Sequence, residues 1–91
     1  MNIQAELSLY PLRTKHLDTT IFRFIEQLEA GGLKPEVGAM STVVSGECHR
    51  VFSAVERAFD ACGSEGDIVL VFKVGNACPK CFHQNKELKR A

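Results

Sequence analysis

The chain has 91 residues, its eleven basic residues balance eleven acidic ones, and hydrophobic residues make up 45% of it. This length allows one domain with a modest core and is too short for two, so we expect a single domain over residues 1–91. Because the net charge is zero, no long-range positive field favours a nucleic acid partner. No apolar stretch approaches the roughly 20 residues that span a bilayer, so membrane insertion is not expected.

The N-terminal segment bears on the cellular compartment. It shows no charged region followed by an apolar run and a cleavage site, which is the pattern of a secretory signal. We therefore expect a cytoplasmic protein whose four cysteines stay reduced.

The first predicted strand covers residues 2–10, where apolar and polar side chains alternate. The set expected to face the core is Ile3, Ala5, Leu7 and Leu9, and the set expected to face away from it is Gln4, Glu6, Ser8 and Tyr10. Pro11 should end this strand, because proline cannot donate a hydrogen bond to a sheet.

A helix is predicted over residues 19–30, with Asp18 or Thr19 as its N-cap and Gly31 and Gly32 at its end. Its apolar positions fall at helical spacing, at Ile21, Phe24, Ile25 and Leu28. A strand over residues 35–39 and another over 42–47 follow, joined only by Met40 and Ser41 as in a tight antiparallel hairpin. Pro35 indicates that the earlier of the two is an edge strand.

The second predicted helix covers residues 48–62, with apolar positions at Val51, Val55, Ala58, Phe59 and Cys62. The last strand covers residues 67–74, and its expected core positions are Ile68, Leu70, Phe72 and Val74. That assignment places Val69, Val71 and Lys73 on the opposite side of the strand.

This order of elements predicts an α+β, ferredoxin-like βαββαβ fold, with a four-stranded antiparallel sheet and both helices on one face. The first and third strands should be central. The other face of the sheet, which we call the open face, carries both the polar set of the first strand and the exposed valines of the last. Such a face favours packing against a second sheet, a flat ligand, or both together.

Three segments carry a resemblance to a known family: A-E-L-S-L-Y-P-L (residues 5–12), M-S-T-V-V-S-G-E (40–47) and G-N-A-C-P (75–79). They resemble signature segments of the YkoF-like proteins that bind thiamine and hydroxymethylpyrimidine. The resemblance spans nearly the whole chain. It implies a ferredoxin-like fold, a homodimer or tetramer assembled through the open faces, and a pocket for the aminopyrimidine of thiamine or of its hydroxymethylpyrimidine precursor.

An aminopyrimidine is flat, so its pocket needs polar partners at the ring edge and apolar or aromatic walls. Polar candidates on the matching segments are Ser8, Ser41, Thr42 and Asn76, and candidate walls are Tyr10, Met40, Val44 and Phe72. Glu6 or Glu47 would balance the cationic thiazolium ring of thiamine. Gly46 lies on the same segments and is also a candidate. Structural roles compete for several of these residues: a turn for Ser41 and Thr42, a bulge for Gly46, and the hairpin core for Met40.

A second hypothesis concerns the C-P-K-C-F-H stretch, where Cys78, Cys81 and His83 offer at most three ligands for zinc. A fourth would have to come from Cys48, His49, water or another subunit. One C-x-x-C without a partner pair is a weak metal signal, so a metal site is not favoured. The alternative function is therefore a small metal- or redox-linked regulatory domain that uses this loop.

No catalytic constellation is evident. The three histidines are scattered, and neither a G-x-S-x-G segment nor a phosphate-cradling glycine loop occurs. We therefore expect a binding protein that is not an enzyme and has no cofactor.

Overall fold

The computed structural model describes residues 1–77 and orders six elements along the chain. They are β1 (Asn2–Pro11), α1 (Leu17–Ala30), β2 (Glu36–Val37), β3 (Thr42–Glu47), α2 (Cys48–Gly63) and β4 (Ile68–Gly75). Neither α1 nor α2 is long and apolar enough to cross a membrane.

The four strands form one antiparallel sheet in the order β2-β3-β1-β4. This confirms the predicted βαββαβ, ferredoxin-like α+β fold, with β1 and β3 at the centre. On β1, Leu7 is opposite Thr42 of β3 and Phe72 of β4. Directly opposite residues point to the same face of a sheet, so these registers determine which side chains share the open face.

The core lies between the two helices and one face of the sheet. The predicted alternation along β1 is confirmed, since Ile3, Ala5 and Leu7 are all at most 3% exposed. Phe24 and Leu28 of α1 pack into the same cluster. α2 contributes Val51, Ala54, Val55, Ala58 and Cys62. Both helices therefore cover the same face, and the other face stays open.

The start of α1 differs from the prediction. The helix begins at Leu17, with His16 in the N-cap position, and neither Asp18 nor Thr19 is the cap. The backbone N–H of His16 donates to the Thr14 hydroxyl at 3.0 Å, which turns the chain into the helix early. Asp18 then lies in the first turn, where its negative charge is favourable near the helix dipole.

The predicted glycine stop of α1 is confirmed. Gly31 is the C-cap, and Gly32 has a φ of +92°, a conformation that favours glycine. A Cβ added at Gly31 would lie 2.6 Å from the Cβ of Ala54. A larger side chain there would therefore push α1 away from α2.

The hairpin between β2 and β3 is wider than predicted. β2 contains only Glu36 and Val37, and the loop runs over residues 38–41 with the N–H of Gly38 bonded to the carbonyl of Ser41 at 2.8 Å. The prediction that β2 lies at the sheet edge is confirmed.

Two predicted core positions are wrong. Phe59 is 41% exposed and Val74 is 40% exposed. Phe59 lies two helical turns after Phe52, whose ring is 5.2 Å from that of Phe72 on β4, so both phenylalanines lie on the flank of α2 beside the edge strand. Within residues 1–77, no strand lies beyond β4 to cover that flank.

We predict that Leu28→Ala lowers the free energy of unfolding by about 2–5 kcal/mol, because it removes a fully buried side chain and leaves a cavity. Phe22→Ala on the same helix is the matched control, since Phe22 is 68% exposed and its loss should change stability by no more than about 0.5 kcal/mol. Urea denaturation followed by circular dichroism measures both. Equal losses for the two variants would contradict the assigned orientation of α1.

Candidate functional site

The open face contains paired rows of side chains from β1 and β4. Tyr10 is opposite Val69, Ser8 is opposite Val71, and Glu6 is opposite Lys73. Val69 is 47% exposed and Val71 is 53% exposed, as predicted for side chains that point away from the helices. This face therefore presents an apolar patch beside a charged pair.

Glu6 is the centre of a small polar network on the open face. The Ser41 hydroxyl donates to its Oε2 at 2.8 Å, and the Lys73 ammonium lies 3.2 Å from its Oε1. The hydrogen bond from Ser41 and the charge and hydrogen bond of Lys73 hold the pKa of Glu6 below its ordinary value of 4.5. The carboxylate is therefore ionised at neutral pH.

A concavity of about 180 Å³ lies between β1, the loop over residues 38–41 and α1, and we call it the hairpin opening. It exists because pairing between β1 and β3 ends at Leu7 and Thr42, whereas pairing between β1 and β4 continues to Pro11 and Ile68. On its hairpin side, the stretch of β1 over residues 8–10 therefore has no strand partner within residues 1–77. Backbone groups of alternate residues in that stretch point toward the gap, since the direction of these groups alternates along a strand.

The lining of the hairpin opening combines an apolar floor with a polar and aromatic rim. The floor is made of Leu7, Leu9, Ile21, Phe24 and Ile25, and the rim includes Ser8, Tyr10, Met40, Ser41 and Thr42. The five rim residues come from two distant segments, and all of them are candidates from the sequence. Met40 is 88% exposed, so it is not part of the hairpin core.

Glu6 connects the hairpin opening to a second, shallower depression on the open face. This depression measures about 370 Å³ and is lined by Glu6, Val43, Lys73 and Gly75, among others. Because Ser41 borders the hairpin opening and donates to Glu6, the two concavities meet at the Ser41–Glu6 hydrogen bond.

Two candidate residues are not brought to the hairpin opening. Gly46 is opposite Ile3 toward the other end of β1, and a Cβ added to it would be 3.5 Å from Val51 of the core. Asn76 follows β4 at that same end, and its amide nitrogen lies 3.4 Å from the Met1 sulfur.

Three further candidates have structural roles. Glu47 is the N-cap of α2, where its side chain accepts a hydrogen bond from the N–H of Arg50 at 3.1 Å. The backbone N–H groups of His49 and Arg50 lower the pKa of Glu47 accordingly. Val44 is 1% exposed in the core, and Phe72 packs on the ring of Phe52. Glu47 is therefore a helix cap, and neither Val44 nor Phe72 is a wall of the hairpin opening.

Sequence reasoning missed the contribution of α1 to the site. Ile21 and Ile25 were predicted as core residues of the helix, but their side chains are only half-buried and border the hairpin opening. Lys73 was assigned to the open face without a partner. Its contact with Glu6 follows from the cross-strand register, which a single sequence does not give.

The metal candidates Cys78, Cys81 and His83 lie outside the described residues. Within residues 1–77, no group of three or more His, Cys, Asp or Glu side chains is placed to hold a metal ion. Cys62 is 2% exposed, and burial raises the pKa of its thiol, which confirms its predicted place among the apolar positions of α2.

A known family model matches most of this chain. The chain matches the thiamine-binding protein family over residues 5–78. It belongs to this family, as the resemblance of its sequence segments predicted. No curated protein matches the chain.

Solved structures support the fold. A domain of unknown function from Bacillus cereus is 28% identical, with a TM-score of 0.71 over 82% of this chain and 75% of that one. A protein from Streptococcus pneumoniae has a TM-score of 0.80 at 19% identity, over 96% of this chain and 99% of that one. A proposed thiamine biosynthesis or salvage protein from Thermotoga maritima has a TM-score of 0.76 at 20% identity, over 96% of this chain and 98% of that one. At these identities the last two show the fold alone.

We predict that Ser41→Ala raises the pKa of Glu6 toward its ordinary value, because the charged carboxylate loses its hydrogen bond. NMR titration of the Glu6 side-chain carboxyl measures the shift. Ser45→Ala is the matched control on the same face, since no described residue hydrogen-bonds to the buried Ser45 hydroxyl. An unchanged Glu6 pKa in Ser41→Ala would show that this contact does not hold in solution.

Proposed function

We propose that the protein binds thiamine or its hydroxymethylpyrimidine precursor at the hairpin opening, without catalysing a reaction. The observation that carries this proposal is the convergence of Ser8, Tyr10, Met40, Ser41 and Thr42 around one opening. Membership in the thiamine-binding protein family supports the class of ligand.

The chemistry of the hairpin opening suits an aminopyrimidine. Its volume of about 180 Å³ is below the range of drug-sized ligand pockets and suits one small ring rather than a whole two-ring molecule. The apolar floor would cover the ring face, and Tyr10 would add an aromatic wall. The hydroxyls of Ser8 and Ser41 would supply hydrogen-bond partners for the ring nitrogens and the amino group, as would the side of β1 that has no strand partner among the described residues.

The charge of Glu6 suits the second ring of thiamine. With the pyrimidine in the hairpin opening, the linked thiazolium would extend into the depression that contains Glu6. The lowered pKa of Glu6 keeps a negative charge there, although Lys73 balances part of it. Glu6 therefore distinguishes the cationic ligand from the neutral precursor.

We predict that titration calorimetry detects binding of thiamine or hydroxymethylpyrimidine, and that Tyr10→Ala weakens either ligand about two- to tenfold through loss of the aromatic wall. Phe22→Ala, an exposed aromatic residue of α1 outside the hairpin opening, should leave both affinities unchanged. Absence of heat with both ligands at about millimolar concentration, where binding of about 4 kcal/mol registers, would refute the proposal.

The same measurement tests the charge of Glu6. Glu6→Gln should weaken thiamine about two- to fivefold, as expected for an exposed ion pair, and should leave hydroxymethylpyrimidine unaffected. Glu56→Gln, an exposed position on α2, is the matched control. Equal losses for both ligands in Glu6→Gln would exclude a charge role.

We also propose that the protein works as a homodimer or tetramer in which open faces pack together. The exposed Val69 and Val71 form an apolar strip that packing against another sheet would remove from water.

Sedimentation at micromolar concentration should give at least twice the 10.1 kDa mass of the chain. Val69→Lys combined with Val71→Lys should lower that mass, because charge without a partner in an interface is costly. Phe22→Lys on the outer surface of α1 is the control and should leave the mass unchanged. A wild-type protein that sediments as a monomer would rule out self-association.

A further inference from the structure

Glu6 and Lys73 form an ion pair in the shallow depression of the open face. The Lys73 ammonium lies 3.2 Å from Oε1 of Glu6, and the Lys73 side chain is 78% exposed. The Ser41 hydroxyl donates to the other oxygen of the same carboxylate at 2.8 Å. One carboxylate oxygen is therefore held from the hairpin side, and the other faces an ammonium group that is open to solvent.

These three groups stand in a row across the sheet. Ser41 immediately precedes β3, Glu6 lies on β1 and Lys73 lies on β4. Because neighbouring strands are about 4.8 Å apart, the row spans roughly 10 Å from β3 to β4. The hairpin opening lies at the Ser41 end of the row, and the depression lies at the Lys73 end. A ligand that extends from the opening across the open face therefore meets the carboxylate first and the ammonium second.

The depression has room beside Lys73 because Gly75 is part of its lining. Gly75 is opposite Gln4 of β1, so a side chain at this position would lie on the open face next to that of Gln4. A Cβ added to Gly75 would meet no atom within 4 Å. The depression measures about 370 Å³ and the hairpin opening about 180 Å³, so the depression accommodates more than one small ring.

An ion pair of this kind complements a ligand that carries both charges in the same order along its length. Thiamine provides only the cation, because its thiazolium ring ends in an uncharged hydroxyethyl arm. A phosphate ester on that arm adds about −1.5 to −2 charge at pH 7. On the basis of the binding proposed above, we propose that the site recognises the monophosphate ester of thiamine, with the thiazolium at Glu6 and the phosphate at Lys73.

Exchange of charge partners favours the ester over thiamine. A thiazolium that approaches Glu6 competes with the Lys73 ammonium for one carboxylate, and the two cations repel one another at this distance. With thiamine, Lys73 gives up its partner and gains none from the ligand. With the ester, the thiazolium replaces Lys73 at Glu6 while the ammonium donates to the phosphate oxygens, so both charges of the pair keep a partner.

Titration calorimetry at neutral pH compares thiamine monophosphate, thiamine and hydroxymethylpyrimidine. We expect the ester to bind about three- to tenfold more tightly than thiamine, because it gains an exposed pair between phosphate and ammonium. Inorganic phosphate alone should give no measurable heat at about millimolar concentration, because one exposed ammonium holds it weakly. Equal affinities for the ester and thiamine would overturn the inference, and so would inorganic phosphate that binds as tightly as the ester.

Lys73→Met removes the ammonium and keeps a long side chain. Glu6 stays ionised at neutral pH in this variant, because the ordinary pKa of its carboxyl is 4.5. The variant should weaken the ester about three- to tenfold, leave thiamine unchanged or up to about twofold tighter, and leave hydroxymethylpyrimidine unchanged. Lys34→Met, at an exposed lysine outside both concavities, is the matched control. Equal losses for the ester and thiamine in Lys73→Met would refute phosphate recognition by Lys73.

Gly75→Leu tests the place of the phosphate. A leucine at this position would fill the depression beside Lys73, so the preference for the ester over thiamine should disappear while hydroxymethylpyrimidine binds as before. Gly66→Leu is the matched control, since a Cβ added to Gly66 also meets no atom within 4 Å and this residue lies outside both concavities. A preference for the ester that persists in Gly75→Leu would contradict the proposed place.

The same titrations separate this inference from the binding on which it rests. Absence of heat with all three organic ligands would remove both. Binding of thiamine or hydroxymethylpyrimidine without any preference for the ester would leave the proposed function intact and remove the recognition of phosphate alone.

Discussion

Two-sided pairing of β1 is the constraint on which the rest of the structure depends. Leu7, for example, is opposite Thr42 of β3 and Phe72 of β4, and it is 2% exposed under the helices. A slip of one residue would turn the apolar set of β1 onto the open face and the polar set into the core. Burial of one face therefore fixes the register, and the register in turn puts Glu6 opposite Lys73 and Tyr10 opposite Val69.

The hairpin opening exists because the pairing of β1 with β3 ends earlier along β1 than its pairing with β4. β1 is longer than its contact with β3, so on that side the end of β1 meets α1 and a loop, and no further strand of the described part of the chain. Apolar side chains and backbone groups that have no strand partner within residues 1–77 thereby lie together in a small space. Such a combination favours a flat polar ring over a purely apolar ligand, because the ring satisfies backbone groups that would otherwise need water.

The open face and the β4 edge present different surfaces for association. The face offers side chains, mainly valines, next to a charged network that the ligand is proposed to use. The β4 edge offers backbone hydrogen-bonding groups that no strand within residues 1–77 pairs with. Assembly through the open face would therefore change the surroundings of Glu6.

The sequence by itself determined the order of elements, the alternation of β1 and the segments that carry the family resemblance, because local periodicity and turn residues express these directly. It also placed Ser8, Tyr10, Met40, Ser41 and Thr42 on segments that meet. Only the tertiary structure decided that Gly46 and Asn76 lie toward the far end of the sheet, that Glu47 caps a helix and that Phe59 is exposed. The reason is that periodicity identifies the apolar side of a helix or strand but not what lies against it, and cross-strand register depends on residues far apart in the chain.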